Sequence, residues 1–228
     1  MRLLNGFLLS YLKYGDQDCI LHCFTLEQGF QSFFVHRIYA KSNKSKAFLT
    51  PLNALSFTVS PKIKTGGILT CSKIELLNRS SAPDSMKYNA VVFFVADFLN
   101  QVLRNESENH KIYNEITGFL AELEQENYRA HLIFLMRFLD ISGVLPLAEQ
   151  GLFLDPETGN FGATQVHSIF DETLSALWKE IICSTRPYDT PVPAALRKPF
   201  LDSLMVYYYY HFTDFRIPGS LEVVQELF

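Results

Sequence analysis

Phe30-Gln31-Ser32-Phe33-Phe34-Val35-His36-Arg37-Ile38-Tyr39 is rich in aromatic and β-branched residues. It runs directly into Ala40-Lys41-Ser42-Asn43-Lys44-Ser45-Lys46-Ala47-Phe48, a polar loop with three lysines. The first part predicts a strand over residues 30–39. Alternation places Phe34 and Ile38 on one face and Phe33, Val35, Arg37 and Tyr39 on the other. Apolar residues on both faces suit a small barrel, with one face inside and the other covered or binding. Arg37, Lys41, Lys44 and Lys46 then stand where a strand delivers cations into a loop, an arrangement suited to phosphate contact. Taken alone, such a charge run is more often an ordinary solvated face.

The flanking sequence supplies the rest of a barrel. Residues 3–14 are strand-compatible and end at Gly15-Asp16, a turn signal, before a second run over 19–25. Glu27-Gln28-Gly29 makes the next turn. After the lysine loop, residues 54–60 form a fourth strand, 61–67 a basic connection with Lys62 and Lys64, and 68–76 a fifth strand. Five short strands in this length match an OB-type barrel.

Residues 78–84 are polar and contain Pro83, and beyond them the hydrophobic period changes. The expected division is therefore a barrel domain, 1–80, and a helical domain, 81–228, an α+β architecture. Helices are expected over 86–103, from a capping box at Asn105 and Glu108 through Leu123, over 127–141 up to Gly143, over 168–182, over 196–212 with Pro199 in its first turn, and from an N-cap at Ser220 to Phe228. Residues 151–163, with Asp155-Pro156 and Gly159-Asn160, read as a loop or short hairpin. In Tyr207-Tyr208-Tyr209-Tyr210-His211 the helical period spreads the rings around the axis. One or two tyrosines are expected in the core, and His211 is expected to make a local hydrogen bond.

The net charge of −4 conceals two opposite halves. Residues 1–80 carry ten Lys and Arg against four Asp and Glu, a net +6. Residues 81–228 carry ten against twenty, a net −10. That asymmetry points to a polyanionic partner for the first part and a protein partner for the second. Four scattered cysteines, Cys19, Cys23, Cys71 and Cys183, make neither a disulfide framework nor a C-x-x-C zinc pair. Cys19 and Cys23 would face one side of a strand and His22 the other, which keeps the three from converging on a metal. No apolar run is long enough to cross a bilayer, and Asn5, Gly6 and Ser10 interrupt the apolar start where a signal peptide would need continuity. A cytoplasmic protein is the expectation. There is no P-loop, dinucleotide fingerprint, zinc-protease helix or nucleophile elbow, so no catalytic residue and no cofactor are expected.

Several patterns, taken in order, are shared with a known family. They are Lys13-Tyr14-Gly15-Asp16, Phe24-Thr25, Gly29, Val35 through Lys41, Lys44 and Lys46, and Pro51-Leu52. In the second part they are Phe94-Val95-Ala96-Asp97-Phe98-Leu99, Phe138-Leu139 with Gly143 and Pro146, Leu204, Tyr207-Tyr208, His211, Ser220-Leu221 and Leu227-Phe228. In these the chain resembles the bacterial recombination mediator family RecO over nearly its full length. The resemblance implies an N-terminal OB-fold and a C-terminal helical domain without catalysis. It also implies binding of single- and double-stranded DNA, annealing of complementary strands, and action with RecR, and in some members RecF, to load RecA onto DNA covered by single-strand binding protein. Many members carry a four-cysteine zinc site in the helical domain. Here residues 146–161 contain no cysteine, so no zinc is expected. Some members take the tail of single-strand binding protein into a helical-domain pocket, for which Arg129 and Arg137 are the candidates. Arg37, Lys41, Lys44, Lys46, Lys62 and Lys64 are the candidate DNA contacts. A protein-interaction adaptor working through the acidic helical part is the alternative.

Overall fold

The computed structural model describes residues 1–63, 67–77 and 85–227, with the backbone alone at 61–63. Strands β1 (Arg2–Tyr14), β2 (Asp18–Thr25), β3 (Gly29–Val35), β4 (Ala54–Ile63) and β5 (Leu69–Leu76) close into a barrel in the order β1-β2-β3-β5-β4. All neighbours are antiparallel except β3 and β5, whose parallel pairing over Phe33–Val35 and Leu69–Cys71 shuts the barrel. This is the five-stranded OB-type barrel that the strand pattern predicts. Its interior is filled by one face of each strand, including Leu4, Leu8, Leu21, Cys23, Phe33 and Phe57. The Phe33 and Phe57 rings stack 4.3 Å apart within 10° of parallel. Cys19 and Cys23 point into this core while His22 lies on the other face, its Nδ1 2.9 Å from Ser32 Oγ.

Two strands differ from their expected lengths. β4 continues through Pro61 to Ile63, and its register against β5 slips between Val59 and Ile63, the interval that holds a proline with no N–H to give to a ladder. β3 stops at Val35, four residues short of the expected end. Arg37 adopts a left-handed backbone with φ of 51°, and this breaks the alternation: Ile38 turns into the barrel core with Phe33 and Val35 instead of away from them. Asp18 holds the turn. Its Oδ1 accepts the Arg37 N–H at 2.8 Å and lies 2.9 Å from His36 Nδ1, while Gln17 O accepts the Tyr39 N–H at 3.0 Å. Long-range bonds to the β1–β2 turn thus overrule a local strand preference.

The described chain divides into two compact units, Met1–Tyr113 with Pro218–Ser220, and Asn114–Ile217 with Leu221–Phe228. The junction expected at 78–84 lies outside the described residues. Helix α1 (Met86–Val102) belongs to the first unit and packs on β1. It opens at Ser85, whose Oγ accepts the Tyr88 N–H, and Ser10 Oγ donates to Asn100 Oδ1 at 3.0 Å. The predicted capping box at Asn105 and Glu108 does not form. Glu106 O instead accepts the Phe30 N–H of the barrel, and Gly29, with φ of 69°, packs so closely on the Ser107 carbonyl that a Cβ there would clash. Helix α2 (His110–Glu124) therefore starts later, with Asn109 Oδ1 accepting the N–H groups of Lys111 and Ile112. In the same unit Ser220 Oγ, expected as an N-cap, donates to Asp97 Oδ2 at 3.1 Å.

The second unit contains most of α2, helix α3 (Ala130–Ile141), a small hairpin of β6 (Phe153–Leu154) and β7 (Phe161–Gly162), and helices α4 (Glu172–Cys183), α5 (Ala194–His211) and α6 (Leu221–Leu227). Gly143, at φ of 74°, ends α3 as its position predicts, with the Val144 N–H reaching back to Leu139 O. Trp178 is fully buried and donates from Nε1 to Ser203 Oγ at 2.9 Å. The four tyrosines of α5 divide in pairs. Tyr207 and Tyr208 are buried and donate to Val144 O and Leu135 O, while Tyr209 and Tyr210 face solvent. His211 differs from expectation, since its partner is Pro156 O, 55 residues away, with its ring stacked on Tyr207. Pro199 differs too. The helix begins at Ala194, so the ring falls beyond the first turn.

His131 on α3 is 2% exposed, with Nδ1 2.7 Å from Tyr128 O. Burial, partly offset by that bond and reinforced by the nearby Arg197 guanidinium, lowers its pKa to about 4. The unfolded chain therefore binds a proton here that the folded chain refuses. Stability is fully present above pH 6.5 and is lost as pH falls from there towards about 4, by about 3 kcal/mol at most. The urea midpoint of His131→Gln is expected to fall less steeply than that of wild type across this window. Parallel curves would show that other groups carry the acid dependence.

Candidate nucleic-acid interface

Between β3 and β4 the chain forms a turn and then a single 3-10 turn, Lys44–Phe48. Asn43 caps that turn through Oδ1, which accepts the Ser45 N–H at 2.9 Å, and donates from Nδ2 to Arg37 O at 3.2 Å. Phe48 and Leu49 pack on the barrel core, which anchors one side of the segment and leaves the cations outside. Arg37, Lys41, Lys44 and Lys46 are all exposed. Among the described residues none of the four has a carboxylate within ion-pair distance, and the Arg37 side chain meets only Gln17 Oε1, at 3.4 Å. Lys73 on β5, by contrast, is neutralised by Glu75 at 2.8 Å. The connection therefore concentrates unpaired positive charge at one place on the barrel.

Three further side chains join it that sequence reasoning left out: Lys13, Tyr39 and Tyr11. The Lys13 Nζ lies 5.9 Å and the Lys46 Nζ 5.7 Å from the centre of the Tyr39 ring. The Tyr39 hydroxyl points inward and donates to Cys19 Sγ at 3.9 Å, and the half-buried ring has both ammonium groups within 6 Å of its centre. Burial of that hydroxyl, then the neighbouring Cys19 thiol and Tyr11, push its pKa up to about 12, so Tyr39 is a neutral phenol at physiological pH. Lys13 arrives there through a β-bulge. Leu8 pairs with Cys23 but Ser10 pairs with His22, so Leu9 is an extra residue in β1. Beyond it Tyr11 and Lys13 stand opposite Leu21 and Cys19, on the face that lines the barrel, whereas unbroken alternation from Leu4 and Leu8 would put Leu12 and Tyr14 there.

The other candidates fare differently. Lys64 lies outside the described residues, and so does the side chain of Lys62, though its backbone belongs to β4. In the helical unit Arg137 is engaged within the fold. Its Nε donates to both oxygens of Glu115, at 2.9 and 2.8 Å, and the Tyr188 hydroxyl donates to the same carboxylate at 2.7 Å. Arg129 occupies the N-cap position of α3 without a side-chain capping bond.

With this geometry in view, likeness to known proteins becomes informative. The family model for the N-terminal domain of recombination protein O matches residues 1–79, the whole barrel. The similarity extends past it: the DNA repair protein RecO of Flavobacterium psychrophilum is 27% identical over 98% of each chain. The RecO of Phocaeicola vulgatus is 26% identical over 98% of this chain and 97% of its own. The chain is thus similar to RecO proteins over nearly its full length. Its barrel carries the exposed cations and its helical part the acidic excess. Residues 146–161, the stretch for which the resemblance raises a four-cysteine zinc site, include β6 and the start of β7, with Leu154 and Phe161 buried. They offer no thiolate, so this donor set does not fit a zinc ion.

Proposed function

We propose that this protein is a recombination mediator in DNA repair, a cytoplasmic protein that binds single- and double-stranded DNA through its barrel and anneals complementary strands. With RecR, and in concert with RecF and single-strand binding protein, it helps load RecA onto covered DNA. The observation that carries the reading is the group of exposed cations, Arg37, Lys41, Lys44 and Lys46, on one barrel connection, with no carboxylate in ion-pair reach among the described residues. Similarity over nearly the whole chain to proteins called DNA repair protein RecO supports it. In this reading Lys62 and Lys64 are further phosphate contacts and Arg129 serves a protein partner, whereas Arg137 is held by Glu115 within the fold. The role consists of holding and exchanging strands, so it calls for no catalytic residue and no cofactor.

The mechanism is electrostatic. Each lysine or arginine that meets a phosphate releases condensed counterions, which makes affinity fall as salt rises, by about 0.7 decade per decade of salt for each single-strand phosphate neutralised. Four such cations on the connection give a slope of about −3. Fluorescence anisotropy with a labelled single strand across a potassium chloride series checks this. Binding indifferent to salt, or none at all, would rule the mechanism out and favour a protein-interaction adaptor built on the acidic helical part.

A further inference from the structure

The proposed role leaves unexplained why two tyrosines are gathered among the cations of the barrel. Phosphate contact alone needs charge, and the lysine connection supplies it. Yet the bulge at Leu9 turns Tyr11 and Lys13 onto the barrel-lining face beyond the point where β1 leaves β4, whose pairing ends at Phe7. Tyr11 is 46% exposed there. Tyr39 stands nearby with its hydroxyl turned inward to Cys19 and its ring flanked by Lys13 and Lys46. The two ammonium nitrogens are no farther apart than the sum of their distances to that ring, about 12 Å. The two phosphates that flank one nucleotide, about 3.4 Å apart along the axis of a stacked strand, fall within that limit.

We infer that Tyr11, Lys13, Tyr39 and Lys46 form a nucleotide seat selective for single-stranded DNA, with an unstacked base on Tyr11 and its flanking phosphates on Lys13 and Lys46. The inference rests on the proposed DNA-binding function and adds to it a strand preference and a residue, Lys13, on a different element from the lysine connection. The physical basis is access. A base inside a duplex has no free face to offer, whereas every base of a single strand has one, and an exposed aromatic ring accepts it whatever its identity. Tyr39 is a positioning residue: it keeps two flexible lysine side chains near one place and lowers the entropy cost when they meet the strand.

The test compares wild type, Tyr11→Ala, Tyr11→Phe and Lys13→Ala in anisotropy titrations against a thymidine oligonucleotide, an abasic strand of equal length and a duplex. Tyr11→Ala is expected to weaken binding to the thymidine strand between about fivefold and a hundredfold while leaving the abasic strand unchanged. Tyr11→Phe keeps the ring and is expected to bind as wild type. Lys13→Ala is expected to weaken both single strands and to flatten their salt slope by about 0.7. Equal losses on thymidine and abasic strands for Tyr11→Ala, or wild-type salt slopes for Lys13→Ala, would overturn the seat. Salt-sensitive wild-type binding that these variants leave intact overturns this inference alone, whereas a wild type that binds no strand removes the proposed function with it.

Discussion

Replacing Lys41, Lys44 and Lys46 together by alanine is expected to flatten the salt dependence of single-strand binding by about two decades per decade, roughly 0.7 for each phosphate that is no longer neutralised. In practical terms, raising salt from 50 to 200 mM should weaken wild type about twentyfold more than it weakens the variant. The fold should not suffer. All three side chains are exposed and none is paired with a carboxylate among the described residues, so their removal leaves no buried charge behind. Two measurements check the expectation together: anisotropy titrations at several salt concentrations, and thermal unfolding followed by circular dichroism. An unchanged slope in a folded variant would assign phosphate binding to other cations of the barrel. The same variant belongs in a strand-annealing assay with single-strand binding protein present, where a failure to anneal would tie the connection to the mediator role.

The largest effect on stability is expected from Phe33→Ala. Phe33 is fully buried, lies on β3 where it pairs with Leu69 of β5 to shut the barrel, and stacks on Phe57 at 4.3 Å. Truncation removes the transfer energy of the ring together with its packing against Phe57, and it leaves a cavity whose walls are strands tied to one another by hydrogen bonds. Such substitutions cost about 3–5 kcal/mol. That is a large share of the roughly 5–15 kcal/mol by which a domain is stable. Urea denaturation should show a lower midpoint with a similar slope. Phe33→Leu refills most of the space and should recover much of the stability. If Phe33→Ala unfolded at the wild-type midpoint, the β3–β5 seam would not be where the barrel is held shut.

Much of this architecture is written in local pattern. Alternating strands with turn signals at Gly15-Asp16 and Glu27-Gln28-Gly29 specify the barrel, and apolar stripes at helical spacing specify the helices. That two of the four tyrosines are buried and two exposed follows from helical geometry, while which two was set by packing. Three of the departures share one cause, a distant partner overriding a local preference. β3 ends early because Asp18 and Gln17 take the N–H groups of Arg37 and Tyr39. The capping box at Asn105 fails because Glu106 is bonded to Phe30, and His211 finds Pro156 instead of a near neighbour. A capping or strand propensity is worth about 1 kcal/mol, and a single long-range hydrogen bond is of the same size. Such contests are not legible from one stretch of chain.

The candidate interface divides in the same way. That Arg37, Lys41, Lys44 and Lys46 lie together on an exposed barrel connection follows from their spacing in the sequence, because a short polar loop between strands has nowhere to go but the surface. That Lys13 and Tyr11 meet them was decided only by the tertiary structure. Counting alternate residues from Leu4 and Leu8 sends both side chains to the opposite face. One extra residue at Leu9 reverses the count, because the side-chain period of a strand is two and a single insertion inverts everything beyond it.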